Sequence, residues 1–321
     1  MGVMLRVAGR ALASIAVIGS IASCGDHTTA SSGDAGVTSD ARPPGMGGAL
    51  YFDRNDPDAH DYAKLAVLPA PFGEAEYSVE LLIKLDDSFP VGPVPNGTEQ
   101  QRSNWYDGDP APYSNSEWWY SGNFLLDGHN NSAFHRGTFS LQFYAGGALR
   151  WLIGDNGGAG SGGVWAIEVH PATNQDSLLD GAAHAVALVR RWEGSTSARY
   201  EMWIDGVLRA SEVSPVRTNM RQWWTDWSDF PPNQDGWFWG AEKQAAIGSL
   251  PQYEDYKGLL ADLRLWPRAL SAQEIATPGP DGNGVARFQF GEGSGDSTCA
   301  DQAVPCMSLF NIDGSDWRAA P

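Results

Sequence analysis

One stretch near the C-terminal third limits the folds open to this chain. Residues Ala245 to Ile275 read AAIGSLPQYEDYKGLLADLRLWPRALSAQEI. A polar acidic loop leads into Gly258, and then Leu259, Leu260, Leu263 and Leu265 run to Trp266 and Pro267. Gly258 suits a close backbone approach at a strand start, and Pro267 cannot continue a central strand, so the strand must end there. Ser271 followed three residues later by Glu274 is a capping box, which predicts a single helical turn over Ser271–Ile275.

The rest of the chain repeats this economy of short elements. The sequence holds 38 Gly, 20 Pro and 14 Trp, and no long amphipathic helical period, which points to many short strands joined by turns. Tyr77, Val79, Leu81 and Ile83 share one face of a strand, as do Phe139, Leu141 and Phe143, with Ala148–Ile153 folding back across Gly146 and Gly147 as a hairpin. Ser116–Leu126 reads as a further strand, and residues 86–113, broken by Pro90, Pro93, Pro95, Pro110 and Pro112, as a surface excursion. Asp205 and Gly206 are the residues a two-residue hairpin turn wants, since both central positions need positive φ.

The stretch from Gly258 to Ile275 resembles the closing segment of laminin-G-like and pentraxin-like domains in the concanavalin A-like lectin/glucanase superfamily. Residues 183–211, AHAVALVRRWEGSTSARYEMWIDGVLRAS, are similar to that group's paired strands, except that Ala182 and Ala183 stand where Trp is often found. Residues 285–295, VARFQFGEGSG, resemble its F-x-E-G-S-G edge strand, here placed last and expected to lie beside the first strand, with Trp317 in a small strand after it. The resemblance implies an all-β, two-sheet antiparallel jelly-roll sandwich over residues 49–321.

Two segments precede that domain. Arg6 and Arg10, the apolar run Ala11–Ile21, and Ile21-Ala22-Ser23-Cys24 form a signal peptide over residues 1–24 whose end resembles the bacterial lipobox. That resemblance implies lipidation of Cys24 and, with Gly25 next, an outer-membrane lipoprotein, with display on the cell surface as the further expectation. Residues 25–48 are small and polar and read as a disordered tether.

Charge excludes some partners. With 39 acidic against 21 basic side chains and a net charge of −18, the chain lacks the clustered cations that nucleic acid or anionic lipid requires, so the membrane is reached through the anchor alone. Cys299 and Cys306, seven positions apart in an exported chain, are expected to form a local disulfide.

Three sets of residues are candidates for binding. Trp223, Trp224, Trp227, Trp237 and Trp239 crowd an expected insertion at about 219–240, either as a satellite core or as a platform on which sugars stack. Pentraxin-like relatives hold calcium in a loop whose counterpart carries Gln252, Glu254 and Asp255, with a second contribution from Asp127, Asn130 and Asn131. Other laminin-G-like members place a structural calcium near the first Phe-Asp turn, which would use Asp53 and Asp262. No alternating carboxylate pair of the glycosidase kind occurs, and no His stands in a nucleophile motif, so a hydrolase is disfavoured and no enzyme is expected. The expected function is a lipid-anchored cell-envelope module that binds carbohydrate, with a structural or adhesive module that binds cell-surface protein as the alternative.

Overall fold

The computed structural model describes residues 48–53, 61–87, 123–128, 139–144, 148–154, 164–169, 178–214, 220, 236–240, 254–277, 284, 286–300 and 305–321. The expected signal peptide with Cys24 and all of the expected tether over residues 25–48 except Gly48 lie outside them, as does most of the excursion that begins at residue 86; Gly48 belongs to the first strand and not to a tether.

Among the described residues, seventeen strands and one helix follow in order. They are β1 Gly48–Phe52, β2 Tyr62–Leu65, β3 Tyr77–Leu85, β4 Asn123–Asp127, β5 Phe139–Tyr144 and β6 Ala148–Gly154. Next come β7 Val164–Val169, β8 His184–Glu193, β9 Ser197–Ile204, β10 Val207–Ser214, β11 Trp237–Trp239 and β12 Glu254–Asp255. β13 Gly258–Trp266, α1 Ala272–Ala276, β14 Ala286–Phe288, β15 Ser297–Cys299, β16 Cys306–Phe310 and β17 Trp317–Ala319 complete the chain.

These strands form the two-sheet antiparallel sandwich expected from the closing stretch. One sheet runs β10-β9-β8-β3-β13-β1-β17, and the other β15-β16-β2-β11-β4-β5-β6-β7. Period-two alternation sends Val79, Leu81 and Ile83 of the first sheet, and Leu141, Phe143 and Trp151 of the second, into one shared core. β12 alone among the described pairings is parallel, laying Glu254–Asp255 against Asn123–Phe124.

β13 organises the first sheet. It pairs with β3 on one side, and on the other with β1 through Gly258–Ala261 and then with β14 through Leu263–Leu265. Between those segments β13 carries one extra residue, and Asp262 takes φ 45°, a left-handed conformation that a short polar side chain tolerates. This bulge corrects the expected position of the C-terminal edge strand. β14 continues along the edge of β13 past the end of β1, and it is β17, with Trp317, that lies beside β1. Gly258 has φ 147°, and a Cβ there would stand 2.3 Å from the Lys84 carbonyl oxygen, so only glycine fits.

The capping box is present as expected: Glu274 N–H donates to Ser271 Oγ, and Ser271 N–H to Glu274 Oε2. The helix lies on the outer face of the first sheet, where Leu270 and Ile275 pack with Ala187, Val189 and Trp266. Ser78, fully buried, fastens this cover by donating to the Arg268 carbonyl and accepting from Leu270 N–H. Cys299 and Cys306 are directly opposite on β15 and β16 and are bonded.

Candidate functional site

The aromatic segment is placed differently from the expected insertion. Trp237 and Trp239 form β11, paired with β2 on one side and β4 on the other, and both rings are fully buried. Trp237 stacks on Phe139 with centroids 4.7 Å apart and meets Phe72 edge-on at 5.6 Å. A ring enclosed on every side offers no face to a sugar, so these two tryptophans are core and not platform. Trp223, Trp224 and Trp227 lie outside the described residues.

The proposed calcium ligands divide in the same way. Gln252, Asn130 and Asn131 lie outside the described residues, and of Glu254 and Asp255 only the strand pairing is described. Asp127 stands three residues past the Phe124 partner of Asp255; it is buried and accepts from Ser140 Oγ at 3.0 Å. Asp53 and Asp262 are not brought together: Asp53 follows the Phe52 that pairs with Gly258, while Asp262 lies at the far end of the ladder beyond Ala49 and Ala261. Asp262 does not suit a cation. Arg264 Nη2 and Arg287 Nε hold its two oxygens at 2.6 Å each, and although burial opposes it, these two guanidiniums keep its carboxyl below the usual carboxylate range. Among the described residues, no group of three or more His, Cys, Asp or Glu side chains could hold a metal ion.

The outward face of the second sheet carries buried polar side chains. Asp127, Ser140, Gln142 and Arg150 alternate with core residues on β4, β5 and β6 and are each no more than 1% exposed. These four side chains offer no surface to a ligand.

The outward face of the first sheet is open beside the helix. A pocket of about 220 Å³ is lined by Glu80, Leu82, Ala185, Ala187, Asp262, Arg264, Gly206 and Ile275. Register builds it: Arg264 of β13 is opposite Glu80 of β3, which is opposite Ala187 of β8, and Leu82 is opposite Ala185. Two alanines and a glycine leave the space, and Ile275 of α1 closes one side.

The polar wall is pre-organised. Trp266 Nε1–H donates to Glu80 Oε2 at 2.7 Å, and Asp262 bridges Arg264 and Arg287. Glu80 and Asp262 balance Arg264 and Arg287, so the cluster carries no net charge. Burial raises the Glu80 carboxyl above its ordinary value, against the opposing pull of the Trp266 hydrogen bond and the Arg264 charge.

A second cluster adjoins the pocket. His184, the first residue of β8, places Nδ1 2.8 Å from Asp205 Oδ2 and Nε2 3.0 Å from Asp180 Oδ1. The other Asp205 oxygen accepts from Ala185 N–H at 2.9 Å, and Asp205 N–H donates to the Ala185 carbonyl at 2.8 Å.

Neither Glu80 nor Arg264 was among the residues singled out in the sequence. The available signal was their position. Glu80 is an acidic residue on the outward stripe of a strand whose inward stripe is wholly apolar, and Arg264 stands at the position facing it across the ladder.

No protein-family model matches this chain, and no curated protein matches it. Several solved structures are similar. A Bacteroides ovatus candidate carbohydrate binding protein is 14% identical over 82% of this chain, with a TM-score of 0.48, and the chain spans 58% of that protein's length. A SAP-like pentraxin from Limulus polyphemus is 15% identical over 72% of this chain and 81% of its own, with a TM-score of 0.41. The CBM40 module of a Ruminococcus gnavus IT-sialidase is 13% identical over 73% of this chain and 97% of its own, with a TM-score of 0.42.

Proposed function

We propose that this protein is a lipid-anchored cell-envelope module that binds a neutral hydroxylated ligand, a single sugar residue of a glycan, in the pocket beside α1. The observation that carries this reading is the pairing of an apolar floor with a rigid, charge-neutral polar wall. Leu82, Ala185 and Ala187 take the C–H face of a ring, and Glu80 offers a carboxylate oxygen to its hydroxyls. A wall in which two carboxylates meet two guanidiniums gives no net attraction to an ionic ligand, and it favours one that both donates and accepts hydrogen bonds. The pocket is smaller than the roughly 300–1,000 Å³ that drug-sized ligands occupy, which suits one ring. Binding without catalysis is the reading supported by chemistry, because a glycosidase needs a second available carboxylate and Asp262 is committed to two arginines.

Glycan-array screening of the full chain, followed by calorimetry with the methyl glycoside of any terminal residue that binds, tests this. Ala185 is exposed, so Ala185→Leu fills the pocket with little change in stability, and it is expected to weaken binding by about tenfold or more. Unchanged affinity in that variant would remove the pocket as the site. Loss of binding on replacing Trp223, Trp224 or Trp227 by alanine, with Ala185→Leu normal, would move the site to that segment.

The anchor is part of the same proposal and has a separate test. Cys24→Ser is expected to shift the protein from the detergent phase to the aqueous phase on phase partitioning. Equal partitioning of both forms would show that Cys24 carries no lipid.

A further inference from the structure

We infer that His184 is a proton-operated latch beside this pocket, tying the turn before β8 and the β9–β10 turn to the sheet together while its ring is protonated, and giving up one of the two ties when the ring loses its proton. The inference concerns regulation of the pocket proposed above and rests on that reading only for its biological meaning. The geometry stands by itself.

Both ring nitrogens of His184 face carboxylate oxygens, at 2.8 and 3.0 Å. A carboxylate only accepts, and a neutral imidazole has one N–H, so a neutral ring can satisfy one of these contacts and must present a lone pair to the other. Only the imidazolium makes both. Through Asp205 the ring reaches the pocket directly. Asp205, at φ 51°, is the first central residue of the turn, its carboxylate also holds Ala185 N–H, and the next residue, Gly206, lines the pocket. A Cβ on Gly206 would stand 3.1 Å from Ala276 Cα, so the turn abuts the end of α1 as well. Through Asp180 the ring reaches the turn before β8, where Asp180 Oδ1 also accepts from Ala182 N–H at 2.7 Å.

Among the described residues, the charged groups facing the ring are these two aspartates. From β3 its register partner is Ile83, which is apolar, and the acid of α1, Glu274, is engaged by Arg268 and Ser271. Burial disfavours the charged ring, but the hydrogen bonds and charges of Asp205 and Asp180 outweigh it, and the ring's pKa is raised above its ordinary value. The sign follows. The latch is complete below the unfolded histidine value of about 6.5 and is lost as pH rises through the raised folded value.

The test uses the full chain without ligand. Ring-nitrogen NMR is expected to show both His184 nitrogens protonated at the acid end of the titration, with a midpoint above that of an unstructured histidine. Amide exchange at Ala185, corrected for intrinsic base catalysis, is expected to accelerate about tenfold across that titration, the loss of one charge-assisted hydrogen bond. A midpoint at or below the ordinary value, or corrected exchange that is flat across the titration, would overturn the latch. His184→Gln should abolish the step. Asp180→Asn, which keeps the Asp205 contact, should move the step to lower pH, and it carries the test if the first variant does not fold; a step unmoved by Asp180→Asn counts against the latch. Methyl hexopyranosides then separate the two readings: if none binds while the exchange step persists, the latch stands and the sugar pocket falls.

Discussion

Replacing Trp237 by alanine is expected to lower the stability of the sandwich by about 4 kcal/mol, the range measured for large aromatic residues truncated in well-packed cores. The ring is fully buried, lies flat against Phe139 and touches Phe72 and Trp239 at their edges. Its strand is interior to the second sheet, held by β2 and β4, so the cavity cannot be filled by an edge folding inward. Even Gly128 is shaped to it, since a Cβ there would lie 2.7 Å from the indole. For a domain of this size the thermal midpoint should fall by about 10 °C. Urea unfolding gives the free energy directly, and a loss below about 1 kcal/mol would mean that the ring is not core.

The second large effect is expected from Asp61→Asn, and it is a gain. Asp61 is buried, and burial is the main reason its carboxyl is pushed up to about 7. The charges of Asp316 and Asp53 and a side-chain hydrogen bond with Asp53 push the same way, while the Asp53 backbone N–H, donated at 3.2 Å, works against them. The folded value lies above the unfolded value of about 3.9, so the favourable contribution is complete below about pH 4 and is lost as pH rises through about 7. At pH 8 the folded protein therefore carries a buried charge among like charges. Asparagine keeps the acceptor for Asp53 N–H and removes that charge. Raising the carboxyl from about 3.9 to about 7 corresponds to about 4 kcal/mol at most, and discounted for solvent screening of a partly accessible carboxylate the variant in metal-free buffer should be more stable than the parent by about 2–3 kcal/mol at pH 8 and about equal to it at pH 4. Equal midpoints at both pH values would show that Asp61 is ionised without penalty.

The two predictions mark the boundary between what could be foreseen in the chain and what could not. The alternation of Tyr77–Ile83, the hairpin over residues 139–153, the Asp205-Gly206 turn and the Ser271–Glu274 capping box are local rules, in which neighbours within four residues decide the outcome, and each stands where the sequence placed it. The Cys299–Cys306 bridge belongs with them, because the two cysteines stand only seven positions apart.

Trp237 shows what local rules leave open. A run such as WFW satisfies an aromatic platform and a central strand equally well, and only its partners, Leu65 and Ala63 on one side and Asp127 and Leu126 on the other, decide between them. The C-terminal edge strand failed for a related reason. Its sequence marks it as a strand, but the bulge at Asp262 determines that it follows β1 along β13 instead of pairing beside it. The pocket is less legible still, because it exists through register. Glu80, Arg264, Ala187 and Gly206 are far apart in sequence and become neighbours only when three strands align and a helical turn is fastened over them. His184 is the same case on a smaller scale. Its strand and the Asp205 turn could each be identified in the sequence, but the second carboxylate, Asp180, reaches the ring only because the preceding turn folds back. Composition and period determined that this chain would be an acidic, turn-rich β protein. Which acids are neutralised, which are strained and which face a ligand depends on desolvation and partners across the sheet, which exist only in the folded molecule.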